Sequence, residues 1–427
     1  MKVAVIGLGI SGLRTALLLE KYGCQVEAYE ARGRPGGRLH TIDEGGGAVY
    51  EAGGEWIDSD HVRTLRLLED FDFQPLHRKT WPKRVVFRGH QRNEVDLWND
   101  ALEDDLRVEA AAKELCRNLS DIPWENQDYE ELDGRTLDDF VREHTQSDRG
   151  LWWVSAKLRS DEGDDLDRVG LLGWLAGWRH YLDREGDEMS AFRVVGGWRA
   201  LCEAMLSTLK GPAEFASVLA KVHQDSSGVT LTFEDGRQTK VDRAVLTLPP
   251  TSLERIVFEP PLTCEKRCAI EASELGRTAK ITWEFTEPWW HDQDWGGSML
   301  CDTAIQQTWD GGLGSAHILT AYINGQDAVD WQKKGDPVHP ALYELAQVFP
   351  AAAKTFKRGW FHDWVADPFC RGSFSHLPPN YVLQFMKDIA PPYGRLHFAG
   401  EHTASLTGFI EGAIESAERV VPEIIRA

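Results

Sequence analysis

The spacing of apolar residues divides the chain into recognisable elements. It begins with a short apolar strand, KVAVI, and passes through a glycine-bearing turn into a helix with Leu13, Ala16 and Leu17 on one face. A second strand, VEAYE, follows and ends on Glu30. Further on, Val229, Leu231 and Phe233 alternate with threonines, Asp235-Gly236 marks a turn, and VDRAVLTLPP returns as a strand. In TAKITWEF, alternation puts Thr278, Lys280, Thr282 and Glu284 on one face and Ala279, Ile281, Trp283 and Phe285 on the other. Taken alone, that pattern makes Lys280 a solvent-facing strand lysine. The segment from about 78 to 190 is rich in charge and helix formers, and that from about 266 to 366 holds strand-like runs and many tryptophans. The stretch HFAGEHTASLTGFIEGAIESAERV, residues 397 to 420, repeats the opening order of strand, polar turn and apolar helix.

The first turn has the spacing Gly7-x-Gly9-x-x-Gly12. Gly7 permits the tight turn, Gly9 lets backbone approach a pyrophosphate, and Gly12 lets helix and strand pack closely. The helix N terminus faces the phosphate charge. Glu30, 23 residues beyond Gly7, is placed to accept hydrogen bonds from a ribose. Strand, turn, helix, strand and acid in this order predict an α/β, Rossmann-type dinucleotide site. Directly afterwards, Arg32-Gly33-Arg34-Pro35-Gly36-Gly37-Arg38 forms a basic, glycine-rich loop. Such a loop suits the far side of a pyrophosphate, although by itself it also reads as a solvated surface loop.

Here the chain resembles the FAD-dependent amine oxidase family. The likeness lies in GLGISG, EARGRPGGR, VYEAGGEWI, VVGGW, DRAVLTLPP, TAKITWEFTEPWW, WVADPFCRGSFS and the closing FAGEH and GFIEGA motifs, in the family's order. It implies a discontinuous FAD-binding domain, residues 1–77, 191–265 and 367–427, with an α+β substrate-binding domain from 78–190 and 266–366. The implied FAD contacts begin with Gly7, Gly9, Ile10, Ser11, Gly12, Glu30, Ala31, Arg32, Gly36, Gly37 and Arg38. They continue through Gly53, Gly54, Glu55, Trp56, Val222 and Trp364 to Gly400, Glu401, Gly408, Phe409 and Ile410. In this reading the last motif returns a strand and a helix N terminus to the flavin, with Glu401 accepting from ribityl hydroxyls.

The resemblance also names reactive groups. Lys280 matches the lysine that holds a water against flavin N5, and Trp364 a tryptophan beside the flavin ring. Phe374 and Phe409 match two aromatic positions that flank the substrate amine. The family commonly has tyrosine there, so two phenylalanines keep an apolar slot and lose both hydroxyls. Some members attach flavin through a cysteine at the position of Ser373. Cys370 lies three residues earlier, so non-covalent FAD is expected. Glu55 is open to two roles, pairing with a substrate ammonium or, the favoured one, pairing structurally with Arg38.

The implied reaction removes a hydride from the carbon bearing an amine and yields an imine and hydrogen peroxide, with molecular oxygen as acceptor. Three alternatives remain open. They are an L-amino acid oxidase, with Arg159 or Arg179 aimed at the carboxylate, a flavin-dependent desaturase, and a non-catalytic flavoprotein. No serine sits in a nucleophile elbow, so hydrolase chemistry has no support.

Composition narrows the partners. The net charge of −21 argues against nucleic acid and anionic membranes and mildly favours a cationic small molecule. No apolar run approaches the roughly 18 residues of a membrane span. The seven cysteines are an odd, scattered set, and Cys264 and Cys268 read as free thiols rather than metal ligands. With no leader ahead of the first strand, a cytoplasmic protein is expected. The 17 tryptophans suit a bulky substrate or simply a large core.

Overall fold

The computed structural model describes residues 1–89, 91–182 and 188–426. At its centre is a five-stranded sheet in the order Leu396–Phe398, Arg243–Leu246, Lys2–Ile6, Gln25–Tyr29, Ala213–Glu214. Every pairing in it is parallel. A parallel sheet must be covered on both faces, which explains the unbroken apolar run of the first strand. Val3 and Val5 pack under the helices Ile10–Lys21 and Ile410–Arg426, against Ala16, Leu19, Val420 and Ile424. Ala4 and Ile6 face a four-stranded sheet instead, touching a core that includes Leu231, Phe233 and Leu246. That sheet contains the hairpin Leu219–Asp225 to Gly228–Phe233. The turn at Asp235-Gly236 is closed by the Arg237 N–H donating to Asp235 Oδ1 at 2.9 Å.

The chain's two ends are tied together. Ser416 Oγ lies 3.0 Å from Ser11 Oγ and accepts the Gly400 N–H at 2.8 Å. The first helix, the last helix and the turn that follows the last strand therefore share one hydrogen-bonded junction.

A seven-stranded sheet lies beyond, in the order Phe356–Asp363, Thr278–Phe285, His317–Asn324, Gln307–Asp310, Met299–Cys301, Val85–Arg88, Gln91–Glu94. Two of these strands come from the segment that reads as helical in sequence. Thr278–Phe285 is interior to the sheet and antiparallel to both neighbours, and all eight of its residues are buried. The solvent-facing pattern of Lys280 is thus overturned. Its face is as covered as the apolar one, with Thr278, Lys280, Thr282 and Glu284 all buried. Ala279, Ile281, Trp283 and Phe285 meet Trp289, Trp290, Trp295 and Trp331 in one core, which accounts for many of the tryptophans.

The remaining layer is helical: Asn99–Cys116, Leu137–His144, Asp148–Glu162 and Leu171–Arg179. Leu137–His144 starts at a capping box, Thr136 with Asp139. Ser147 caps Asp148–Glu162, accepting the Gly150 N–H at 2.9 Å, and Gly163 ends that helix at φ 71°. Among the described residues no helix is long and apolar enough to cross a membrane.

Candidate active site

A cavity of about 1110 Å³ runs from the first glycine turn, between the two large sheets, to the helical layer. Its nucleotide end is built mainly from backbone. Gly7 sits at φ +95°, and a Cβ there would lie 2.7 Å from Thr247 Oγ1. That hydroxyl belongs to the DRAVLTLPP strand and donates to Ile6 O and Gly7 O. A Cβ on Gly12 would lie 1.9 Å from Gly7 O, so Gly12 does not line the cavity but sets how closely the helix seats on the strand. At Gly9 the nearest atom to a Cβ is Gly36 O at 3.9 Å, so bare backbone forms the wall. No side chain caps the helix that starts at Ile10, which leaves its first N–H groups free for an anion.

The charged residues around the glycine turn are engaged within the protein, by backbone or by one another. Glu30 accepts the Leu8 N–H at 2.7 Å and the Arg32 N–H at 2.8 Å. Arg32 makes a bidentate pair with Asp367 at 2.6 and 2.7 Å. Arg34 donates to Pro35 O, Gly37 O and Leu39 O, which folds the basic loop upon itself. Arg38 donates to Ser373 O at 2.6 Å and to Glu401 at 2.7 Å. Burial works to raise the Glu401 carboxyl, but the Arg38 charge and the donors around it hold it below the ordinary range. Glu401 also accepts from Ser375 Oγ and the Gly408 N–H, and so joins both late motifs.

At the other end Lys280 is buried, and its ammonium has three acceptors: Gly53 O at 2.9 Å, Glu55 Oε2 at 3.0 Å and Glu51 O at 3.2 Å. Glu55 in turn accepts from Arg193 at 3.2 Å and from Trp309 Nε1 at 3.2 Å. The expected Glu55–Arg38 pair is therefore not formed, because Arg38 is taken by Glu401 and Glu55 by Lys280 and Arg193. Burial lifts the nearby Glu51 carboxyl to about 7, against hydrogen bonds from Trp198 and Thr41, so Glu55 is the principal counter-charge of Lys280. Trp364 Nε1 donates to Ala52 O at 2.8 Å, and a Cβ on Gly53 would lie 3.1 Å from its ring. Phe374 and Phe409 both line the cavity and are joined at Gly408, where a Cβ would sit 3.3 Å from the Phe374 ring. Phe409 stands edge-on to His61 at 5.3 Å.

Nearly every residue named from sequence lines this one cavity. Val222 does not: it is buried between the hairpin strands, and Val218, Leu219 and Ala220 reach the wall instead. Neither arginine proposed for a carboxylate lines it. Arg159 opens onto a separate small cavity beside Asp165, and Arg179 pairs with Asp121 at 3.2 Å. Arg78 lines the cavity in their place, 5.2 Å from the Trp56 ring. Burial and the Arg193 charge lower its pKa. Arg193, Trp309, Tyr322, Asp161 and Glu162 also escaped the sequence reading. For the last two there was a signal, an acidic pair directly before the helix-ending Gly163, where bases are usual. Cys264 and Cys268 lie on the helix Cys264–Glu271, and all seven cysteines are free thiols.

A dinucleotide-type glycine turn at one end of the cavity and a buried lysine at the other are the parts of a flavin enzyme. Residues 10–425 match the model of the flavin containing amine oxidoreductase family, and the chain is a member of it. It is 24% identical to an L-amino acid dehydrogenase of Synechocystis sp. (strain ATCC 27184 / PCC 6803 / Kazusa), over 99% of this chain and 94% of that one. It is 25% identical to flavin-containing amine oxidase A of Sus scrofa, over 100% of this chain and 85% of that one. The fold matches that of a putrescine oxidase solved with putrescine bound, with a TM-score of 0.88, 21% identity and full coverage of both chains.

Proposed function

We propose that the protein oxidises an amine at the carbon bearing the nitrogen, with tightly but non-covalently bound FAD and with oxygen as acceptor. The observation that carries this reading is Lys280, an ammonium buried in the cavity wall and held by Glu55, Glu51 O and Gly53 O. In this reading residues 1–77, 191–265 and 367–427 hold FAD, and 78–190 and 266–366 cover the substrate. The Gly7–Gly12 turn and the uncapped helix N terminus would take the pyrophosphate, Glu30 the ribose, and Gly53, Gly54, Trp364, Gly400 and Glu401 the flavin half. Bound there, FAD would supply hydride acceptance and electron transfer to oxygen, with hydrogen peroxide as the product.

The chain's own residues do the rest. Phe374 and Phe409 form an apolar slot that orients the amine and disfavours its charged form. The fixed ammonium of Lys280 stabilises negative charge that develops opposite it, without reorganisation. Ser373 offers no thiol for attachment, and its hydroxyl donates to Gly276 O at 3.0 Å. Cys370 is a poor nucleophile, since burial and the Asp367 charge push its thiol up to about 12. Free, reduced thiols suit a cytoplasmic protein.

The test is direct. Anaerobic mixing of the yellow holoenzyme with a panel of amines and amino acids bleaches the flavin, and air restores it with release of peroxide. A flavin that no member bleaches refutes the reading. Acid precipitation leaves the FAD in the supernatant, whereas flavin in the pellet refutes non-covalent binding. Arg78 gives substance to a second reading, oxidation of an L-amino acid whose carboxylate it binds. Preferential bleaching by amino acids, lost in Arg78→Met, distinguishes it.

A further inference from the structure

The chamber beyond Lys280 is unevenly charged. Among its ionisable lining residues, Lys280 is paired with Glu55, and Lys157 with Asp105 at 2.7 and 2.9 Å. Asp58 accepts the Ser190 N–H at 2.7 Å. Arg78, Glu109, Asp161 and Glu162 also line it, and no side-chain hydrogen bond or ion pair joins any of the four to the described residues. Three carboxyl groups thus stand against one guanidinium. A substrate with one ammonium leaves this surplus of acid in place.

Asp161 and Glu162 stand out within the surplus. They are the last two residues of the helix Asp148–Glu162. A helix C terminus carries partial negative charge, so acids there are opposed by the helix itself and cations are favoured. The sequence spends stability at this point, a common mark of a functional position. The location is also specific. Gly163, the next residue, packs against the slot, where a Cβ would lie 2.7 Å from Phe374 Cζ. Both carboxyls are enclosed by protein yet open to the cavity. Burial lifts Asp161 to about 6, with Asp58 and Asp105 adding to the rise and Lys157 opposing it. Burial and the Asp161 charge lift Glu162 to about 8. An arriving cation relieves that strain by letting both ionise.

Resting on the amine oxidase reading above, we propose that the substrate carries a second ammonium group and that Asp161 and Glu162 bind it, which makes them specificity-determining residues. Two kinds of molecule share this chemistry: an α,ω-diamine, and a dibasic amino acid whose carboxylate goes to Arg78.

The experiment uses holoenzyme and matched pairs that differ by one amino group, 1,4-diaminobutane against butylamine and L-lysine against L-norleucine. In at least one pair the dication is expected to have a kcat/KM about tenfold or more above its partner. The pair in which this appears identifies the source. In Asp161→Asn/Glu162→Gln, assayed at equal FAD content, that ratio is expected to fall by about tenfold or more. Under nitrogen, the favoured dication also raises the melting temperature of wild type more than its partner does, a binding readout independent of the variant's folding. Equal kcat/KM within both pairs, or a ratio that survives the double substitution, overturns the assignment and leaves amine oxidation standing. Failure of every amine to bleach the flavin removes the underlying reading and this one with it.

Discussion

The two ends of the cavity are built on opposite principles. At the nucleotide end the wall is backbone, and the charged side chains around the glycine turn are already satisfied within the protein: Glu30 by two N–H groups, Arg32 by Asp367, Arg38 by Glu401. At the chamber end the wall is side chain, and Arg78, Glu109, Asp161 and Glu162 turn ionisable groups to the cavity without hydrogen-bond or ion-pair partners among the described residues. The first end is finished before any ligand arrives and suits one invariant group. The second is completed by what it binds, so it is the end at which specificity can change without disturbing the fold.

This contrast is open to attack from both sides. The largest effect is expected at the finished end. Gly12→Val places a side chain where Gly7 O already lies 1.9 Å from a Cβ. The helix must then lift from the strand, and visible flavin absorbance per chain should fall by roughly tenfold or more. A variant that purifies fully yellow would show that the turn tolerates remodelling.

Next comes Lys280→Met, at the boundary between the ends. It should keep its FAD, because Lys280 touches the chamber wall and not the glycine turn. Stopped-flow reduction or reoxidation should slow by roughly 10²–10³-fold, as for loss of one preorganised electrostatic group. Wild-type rates in both half-reactions would leave the ammonium a packing role only.

A smaller effect concerns the slot. An alkyl amine titrates near ~10.4, and burial lowers such a value by up to about 3–5 units. Attraction of the ring faces opposes this by less than about 1.5 units. The rate of flavin reduction at saturating amine should therefore rise with pH, with an apparent pKa below that of the free amine. A flat profile between pH 6 and 10 would remove the reason for placing the amine between Phe374 and Phe409.

The smallest is a stability effect at the paired end. Burial tends to raise the Asp367 carboxyl, but hydrogen bonds from Arg32 and Cys370 and the Arg32 charge hold it at about 2. A carboxyl depressed in the folded state contributes stability above its unfolded pKa, near 3.8, and loses it as pH falls through the folded value. Wild type should exceed Asp367→Asn by about 1–2 kcal/mol at neutral pH, with the gap closing between about pH 4 and 2. Melting temperatures across that range measure it, and a gap unchanged by acid would assign the difference to packing.

The same contrast explains what the sequence made legible. The glycine turn, Glu30 and the closing motif are local patterns, and their spacing reports their geometry. The alternation in TAKITWEF identified the strand but not its surroundings, because a polar face looks alike whether it meets water or a cavity. Glu55 was paired with the wrong partner for a related reason. Lys280 lies 225 residues away along the chain, and only sheet register and the loop around Gly53 bring them together. The chamber was least visible. Arg78, Trp309 and Tyr322 come from separate parts of the chain, and nothing local distinguishes them from ordinary surface or core residues. Only the misplaced acids at a helix end carried a trace of their role.

The junction of Ser11, Ser416 and Gly400 has a consequence for chain cleavage. Ser11 and Ser416 lie 405 residues apart along the chain yet meet at 3.0 Å, so the first glycine turn and the closing motif brace one another only while both segments stay in one fold. Loss of the last helix would take the packing partner from the first helix and the acceptor from the Gly400 N–H in a single step.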